Sequence, residues 1–503
     1  MYKRQADTGS HVDVLLRREA LLDLLGRHDE RRRDLAELDA LAARIDDAGQ
    51  AARLRQRLAL RRASLELDAG DFTAAAAGAR AALGPQDDIP RAGASEPVQD
   101  VEALLLLARV LFAGGQAELA RQPLDRAQAL AHQQGLADQE ANALMQLGLV
   151  EWQLGHYDAA EALLWSALPA IQNSGALRKE LDLLNNLGVV AKSRARFAEA
   201  VARYEQAQAI ARRIGDRSGE AMLLNNMGSA SLAAGDFYRA AQDTERAARI
   251  WAALNEPGQL GAAWVNRAEA HRELGQYALA QALGEQALAL LRAGGHRRAE
   301  AIVLENLGRV AMAQGRPLQA VRLLEQALAL AREIGLRAIE ASTLFDIGRL
   351  HTALGEHARA AAALSEAGPL MAALGDPLGM LEVQTARADL SLRDTTLPQA
   401  ERAMAARAAI AGWLPRLQRA SPSPPAAAAD AQLPMATYLV ACRVLEACGD
   451  TAASALRARA LAELRERAAR ITDPAARRDY LQISEHQALL ADRAAPSPGT
   501  PGS

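Results

Sequence analysis

The chain has 503 residues, only 3% of them aromatic, and a formal net charge of −3. That charge gives no general attraction to nucleic acid or to an anionic membrane surface, so direct binding to either is not expected. No apolar run is long enough to span a bilayer, and no secretion signal opens the chain. Because the only cysteines are Cys442 and Cys448, we expect reduced structural thiols in a cytoplasmic protein.

The first segment, residues 1–5, reads MYKRQ, which is what a GTG start followed by the end sequence of a common sequencing transposon would encode. We interpret it as a sequencing-adapter scar, and this predicts that the natural protein continues upstream. Residues 11–83 then predict degenerate repeat-like hairpins, because apolar residues recur there at helical spacing. The basic run at 31–33 has acidic neighbours and is predicted to be a solvated face. Residues 84–100 are rich in Pro, Gly and acidic residues and predict a loop insertion.

Residues 101–391 form a regular array with a period of 40 residues. One column of small residues holds Gly148, Gly188, Gly228, Ala268, Gly308 and Gly348, and turn glycines and alanines follow in the same register. A fixed period of this size is typical of a solenoid, and a short break between two helical patterns makes each repeat a hairpin.

The small residues have a predicted packing role. Two antiparallel helices approach closely only where one side chain is tiny, so Gly188 and its equivalents should face Ala200 and Ala207 and their equivalents. The aromatic residues that follow the turns are predicted to fill the core between neighbouring hairpins. This column contains Tyr157, Phe197, Phe237 and Tyr277.

The order of small residue, turn glycine, aromatic residue and two alanines resembles the tetratricopeptide repeat (TPR). That family usually has a period of about 34 residues, and the longer period here is similar to long-helix variants in bacterial signalling proteins and kinesin-light-chain-like adaptors. The resemblance implies an all-α fold, a right-handed superhelical solenoid of antiparallel helix hairpins. It implies little about function.

Beyond the array, residues 392–420 predict a degenerate helical hairpin, 421–434 a Pro/Ala linker and 493–503 a disordered tail. Residues 435–492 predict a C-terminal cap of three helices, Met435–Ala447, Thr451–Ile471 and Pro474–Ala491. This part resembles the terminal segment of large bacterial proteins that join a STAND-type ATPase to TPRs. Such proteins often begin with a nucleotide cyclase, kinase or DNA-binding domain, which would lie upstream of this chain.

No motif for chemistry is found in the sequence. There is no phosphate-binding loop, HExxH, zinc-spaced Cys/His cluster or GxSxG elbow. We therefore predict no catalytic residue, metal ligand or cofactor, and any enzyme activity would belong to an upstream domain.

A column of amides two residues before each small anchor is the candidate binding site. The first helix of each hairpin should line a concave groove, and an asparagine offers both donors and an acceptor to the backbone of an extended peptide. The alternative is that these amides bond to neighbouring helices or cap turns. The candidate groove residues are Asn185, Asn186, Asn225, Asn226, Asn266, Asn306, Asp346, Lys192, Arg272, Arg309 and Arg349. Their mixed charge does not predict a strongly acidic or basic ligand.

Three functions follow from this interpretation. The leading hypothesis is a non-catalytic scaffold that binds a protein or peptide, as the sensor or docking arm of a larger bacterial signalling protein. The second is a free-standing adaptor. The third is the regulatory part of a nucleotide cyclase, a kinase or an ATP-dependent transcriptional regulator.

Overall fold

The computed structural model describes residues 2–83, 97–415 and 433–491, with side chains from residue 11 onwards. These residues form 24 helices, and no strand occurs among them. The predicted all-α repeat solenoid is confirmed. The chain divides into two compact units, Met1–Ser193 and Arg194–Ser503.

The first unit contains nine helices in the part of it that the structure describes. They are α1 (Tyr2–Leu24), α2 (His28–Ala42), α3 (Ala48–Asp68), α4 (Phe72–Leu83), α5 (Pro97–Ala113), α6 (Ala117–Gln133), α7 (Ala137–Gln153), α8 (Tyr157–Ser174) and α9 (Leu177–Ser193). Leucines of α1–α3 form one core, and a second core runs from α3 to α7. The sequence predicts that the helical hairpins start at residue 11, but α1 already begins at Tyr2.

The prediction of a solvated basic run at 31–33 is wrong for Arg31, whose side chain is only 1% exposed. Its Nε donates to Glu19 Oε1 at 3.0 Å, and Nη1 lies 2.5 Å from Asp23 Oδ1. Glu19 is also paired with Arg61 of α3. Arg31 is therefore buried in an ion network with partners on α1 and α3, whereas Arg32 is exposed.

The second unit also contains a regular series of helices. They are α10 (Phe197–Arg213), α11 (Arg217–Ala233), α12 (Phe237–Leu254), α13 (Pro257–Glu273), α14 (Tyr277–Ala293), α15 (Arg297–Ala313), α16 (Pro317–Glu333), α17 (Arg337–Leu354), α18 (His357–Ala373), α19 (Pro377–Arg393) and α20 (Gln399–Ile410). Helices α11, α13, α15, α17 and α19 start at steps of 40 residues.

Local sequence explains where these helices start. Asp216 caps α11 by accepting from the Gly219 N–H at 2.8 Å, and Asp236 accepts from the Arg239 N–H at 3.1 Å. Pro317 occupies the first turn of α16, where its missing N–H has no helical partner to lose. The period of the sequence is therefore also the period of helix starts.

The turn between the helices of a hairpin needs a left-handed residue. Glycine supplies it at Gly235, Gly275 and Gly315, with φ between 68° and 78°. Ala195 takes the same position with φ 57°, at the cost of about 1 kcal/mol that an L side chain meets there.

The anchor glycines allow close helix approach, but the predicted neighbours need correction. A Cβ at Gly228 would lie 2.5 Å from Thr244 Cγ2 and 3.3 Å from the Ala240 carbonyl oxygen. At Gly348 it would lie 2.6 Å from Leu364 Cδ2. In both cases the tightest contact is with the side chain that lies sixteen residues after the glycine. The alanine twelve residues after Gly228 contributes only its carbonyl oxygen.

The C-terminal part consists of four helices, α21 (Met435–Ala447), α22 (Ala452–Arg470), α23 (Pro474–Leu481) and α24 (Ser484–Leu490). We call residues 433–491 the C-terminal module. The prediction of one helix over Pro474–Ala491 is wrong, because Ile483 adopts an extended ψ of 136° and separates α23 from α24. Both cysteines are free, and burial raises the pKa of the Cys442 thiol to about 11.

Several sequence expectations lie outside the described residues. These are residues 84–96 of the predicted loop, 416–420 of the degenerate hairpin, 421–432 of the linker and the tail at 493–503. The last residues of the predicted loop, 97–100, belong to α5.

Candidate functional site

The first helices of successive hairpins in the second unit lie side by side. Helix α11 contacts α13, α13 contacts α15, α15 contacts α17, and α17 contacts α19. Each second helix packs between the first helix of its own hairpin and that of the next. The first helices therefore form a continuous surface, which we call the first-helix layer (α11, α13, α15, α17 and α19). All candidate residues of the second unit lie on it.

The amide column on this layer is only partly free for a ligand. Asn266 Nδ2 donates to Asn225 Oδ1 at 3.0 Å, so these two half-buried amides bond between neighbouring helices, as the alternative interpretation expects. Asn226 is also half-buried. Asn306 is different, because its side chain is 6% exposed and Nδ2 has no hydrogen-bond partner among the residues that the structure describes.

A buried ion network adjoins Asn306. Arg309 Nε donates to Asp346 Oδ2 at 2.5 Å, and its Nη2 donates to Glu305 Oε1 at 2.9 Å. Asp346 is 1% exposed, and its Oδ1 accepts no hydrogen bond, the nearest cation being Arg349 Nη1 at 4.0 Å. The buried atoms without a hydrogen-bond partner in this part of the layer thus include a donor, Asn306 Nδ2, and an acceptor, Asp346 Oδ1.

The network carries more carboxylates than one arginine can neutralise. Burial raises the pKa of Glu305, against the attraction of Arg309, and the negative charge of Asp346 raises it further. Burial also raises the pKa of Glu382 on α19, to about 7. Burial alone would lower the pKa of Arg309, but Asp346 and Glu305 raise it above its ordinary value. The pKa values of both carboxyl groups are therefore shifted in the direction that favours the protonated form.

Two further candidate arginines lie on the same layer. Arg272 Nη2 donates to Glu273 Oε1 at 2.5 Å, so its charge is already paired locally. Arg349 lies over the ring of Phe345, with 5.7 Å from its Cζ to the ring centroid, and it remains 41% exposed. Arg349 is the more accessible of the two.

The remaining candidates belong to the first unit and share α9. Asn185 Nδ2 donates to Asn186 Oδ1 at 3.5 Å, a long contact between adjacent residues. Burial lowers the pKa of Lys192 on the same helix below its ordinary value. The structure thus places all three on one helix, and it leaves their predicted role in binding untested.

Sequence reasoning missed the C-terminal module as part of the site. It packs on α19 and α20, as a cap would, but it also returns to earlier hairpins. Gln276 Nε2 donates to Asp479 Oδ2 at 3.1 Å, and Arg349 Nη2 lies 3.9 Å from Glu485 Oε1. No signal in the sequence could indicate these pairs, since the partners are separated by 136 residues or more.

The described residues hold neither a metal-binding cluster nor a membrane-spanning helix. Within 11–83, 97–415 and 433–491 there is no group of three or more His, Cys, Asp or Glu side chains that could hold a metal ion. None of the described helices is both long and apolar enough to cross a membrane.

The fold and this layer define a helical-repeat scaffold. A family model described as a tetratricopeptide repeat matches residues 259–333 and 299–370, and a second model with the same description matches 181–214. Residues 181–214 and 259–370 are therefore tetratricopeptide repeats. A comparison with curated proteins finds no match.

The chain is similar to several solved structures at low sequence identity. The apo form of the quorum sensor NprR from B. thuringiensis is 14% identical, with a TM-score of 0.55 over 73% of this chain and 99% of that one. A STAND protein with a TPR sensor from Pyrococcus horikoshii is 15% identical, with a TM-score of 0.46 over 65% and 55%. BtubC (BKLC) from P. vanneervenii is 24% identical, with a TM-score of 0.36 over 50% and 92%. At 14% identity, the similarity to NprR shows the fold alone.

Proposed function

We propose that the chain is a non-catalytic TPR scaffold whose first-helix layer binds an extended segment of a partner protein. The observation that carries the proposal is the pair of buried atoms without partners, Asn306 Nδ2 and Asp346 Oδ1. A buried polar atom that makes no hydrogen bond costs about 1–3 kcal/mol. A peptide backbone offers a carbonyl oxygen as acceptor for the first atom and an N–H as donor for the second, so a bound segment that reached both would remove these costs.

The neighbouring side chains fit the same kind of ligand. The half-buried Asn225–Asn266 pair has donors and acceptors beyond the bond that joins them. Arg349 keeps an exposed guanidinium next to Asp346. Because one buried arginine faces several carboxylates, a cationic group on the partner would be favoured near Asp346, with an acidic group near Arg349. The proposed ligand is therefore an extended peptide with mixed charge.

The experiment uses a random peptide library displayed on phage and selected against the full chain. Binding of the selected peptides is then compared in the variant Asn225→Ala/Asn266→Ala/Asn306→Ala. We expect the peptides to bind at least tenfold more weakly to this variant. The matched control is Gln206→Ala/Gln286→Ala/Gln326→Ala, which removes three exposed amides from second helices and should leave binding unchanged. Equal affinity for the wild type and the first variant would reject the layer as the site.

We also propose that the scaffold serves as the sensor or docking arm of a larger bacterial signalling protein in the cytoplasm. The free cysteines support the compartment, since stable disulfides are rare there. Sequencing the genomic reading frame upstream of His11 tests the arrangement. An in-frame ATPase, cyclase, kinase or DNA-binding domain would support it, and a natural start at this position would favour the free-standing adaptor.

A further inference from the structure

The C-terminal module reaches back along the second unit much further than capping requires. Its helix α21 is held to the last hairpin, where Arg407 Nη1 lies 2.8 Å from Asp450 Oδ2 and Cys448 donates to the Ala403 carbonyl at 3.4 Å. The later helices contact hairpins that lie three and four repeats earlier in the chain. The module therefore spans the second unit along one side.

The first of these distant contacts is on the α11–α12 turn. Residues of this turn, from Gly235 to Tyr238, line a small pocket together with Arg467, Ile471 and Tyr480 of the module. Tyr480 is 2% exposed, and Phe237 packs against the same apolar cluster. The aromatic residue predicted to fill the core between hairpins thus also contributes to the docking of the module.

The second contact is on the α13–α14 turn, where backbone meets backbone. A Cβ placed on Gly275 would lie 2.7 Å from the Asp479 carbonyl oxygen and 3.1 Å from Ile483 Cγ1. Next to it, Gln276 Nε2 donates to Asp479 Oδ2 at 3.1 Å. Only glycine at 275 permits this approach. The equivalent turn glycine of the next hairpin, Gly315, has nothing within 4 Å of its Cβ position.

The third contact reaches the candidate site itself. The Arg349 guanidinium lies 4.0 Å from Asp346 Oδ1 and, on its other side, 3.9 Å from Glu485 Oε1. One side chain therefore faces both the buried network of the first-helix layer and the module. The module presents a carboxylate at the point where a partner's acidic group would lie.

We propose that the C-terminal module occupies part of the binding surface in cis, so that a partner protein gains access by displacing α23 and α24. This inference rests on the proposed function and adds regulation to it. The two helices have eight and seven residues, too short to be stable alone, so their order depends on docking. An extended residue precedes each of them, Asp473 with ψ 122° and Ile483 with ψ 136°, which provides non-helical joints for detachment.

Gly275→Ala in the full chain is the main test, with Gly315→Ala as the matched control. Both residues have φ above +60° in equivalent turns, so both variants carry the same backbone strain. Only the Gly275 variant collides with Asp479. We expect amide hydrogen exchange in residues 474–490 to accelerate at least tenfold in Gly275→Ala and to stay at the wild-type rate in Gly315→Ala. Unchanged exchange in both variants would overturn the inference.

Competition is tested with a fluorescent peptide of residues 473–491 added in trans. It should bind Gly275→Ala and fail to bind the wild type, because the cis segment fills the same place. Binding to neither protein, once exchange has shown that the segment is released, means that the docked place is not reusable and contradicts the inference.

A second variant, Glu485→Arg, breaks the docking from the module side by placing a cation against Arg349. Its control is Gln482→Arg, at an exposed residue that lies between α23 and α24. Phage-selected peptides should bind at least tenfold more tightly to Gly275→Ala and Glu485→Arg than to the wild type and both controls. If the module is released and the affinity for the peptides stays the same, the module does not cover the binding surface, and the proposed binding function is unaffected. If instead the triple asparagine variant binds normally, the proposed function fails, and the exchange result still reports on docking.

Discussion

Two buried ion networks in this chain solve the same physical problem in different ways. In α1–α3, Arg31 donates to Glu19 at 3.0 Å, and Arg61 pairs with the same carboxylate. Every buried side-chain polar atom among the described side chains of residues 11–83 has a partner. In α15–α17, Arg309 holds Glu305 and Asp346, yet Asp346 Oδ1 is left without a hydrogen bond.

The two networks differ in how many buried carboxylates each arginine serves, and this distinguishes a structural network from the proposed binding surface. Glu19 has two arginine partners, while Asp23 and Asp68, which also contact Arg31, are 46% and 37% exposed to solvent. In the second network the buried Glu305 and Asp346 share Arg309, Arg349 lies 4.0 Å from Asp346 Oδ1, and the pKa values of Glu305 and Glu382 are raised. Natural proteins keep unsatisfied buried groups mainly where function uses them, so the second network is the place to expect a partner.

Arg309→Met should produce the largest loss of stability. It leaves Glu305 and Asp346 buried without a cation, and removing one member of a buried pair costs about 3–5 kcal/mol. Urea unfolding of the second unit at pH 8, followed by circular dichroism, measures the loss. The control is Arg297→Met, which breaks an exposed pair with Glu333 and should leave the midpoint unchanged. A loss no larger than that of the control would show that the network contributes nothing to folding.

Arg31→Met should be the next most damaging change, at about 2–4 kcal/mol. The loss is smaller because Arg61 still neutralises Glu19. Thermal unfolding of the first unit measures it, and Arg33→Met at the exposed side of the same run should stay within about 0.5 kcal/mol. If Arg31→Met cost as much as Arg309→Met, the contrast between a balanced and an unbalanced network would disappear.

Glu382→Gln should change how stability depends on pH. The folded pKa of Glu382, about 7, lies above that of an unfolded glutamate, so its stabilisation is complete at pH 4 and is lost as pH rises through 7. The glutamine variant keeps the neutral form at every pH. We expect it to be about 1–3 kcal/mol more stable than the wild type at pH 8 and equal to it near pH 4. Glu325→Gln on an exposed surface should keep the wild-type profile, and a flat wild-type profile would contradict the raised pKa.

The period of the array was readable from the sequence because each hairpin repeats its own local signals. Helix starts at Arg297 and Arg337 follow from the same spacing that places the small anchors. Burial of Arg31 was not readable, since its immediate neighbours are acidic and only α1 and α3 bring Glu19 and Arg61 to it. The local sequence pattern determines where helices start and end, whereas the partners in an ion pair depend on tertiary packing.

The candidate site shows the same limit. The 40-residue spacing predicts Asn266 and Asn306 on the first helices of their hairpins, and the structure places them on α13 and α15. Spacing alone could not tell that Asn266 bonds to Asn225 while Asn306 Nδ2 stays unpaired. Contact between Gln276 and Asp479, which are 203 residues apart, lies beyond any periodic pattern.

Asn306→Leu should have the smallest effect on stability, and it distinguishes most directly between a binding role and a structural role for Asn306. The variant removes a buried donor that has no acceptor, so the free energy of unfolding should stay within about 1 kcal/mol of the wild type or rise. Glu19→Leu in the first network is the contrast, because that carboxylate accepts from the buried Arg31 Nε at 3.0 Å and its loss removes the acceptor of a buried donor. Urea unfolding of both variants, together with binding of the phage-selected peptides, makes the comparison. A stable Asn306→Leu protein that has lost peptide affinity means that the unpaired amide serves binding, whereas a strongly destabilised one means that Asn306 is structural after all.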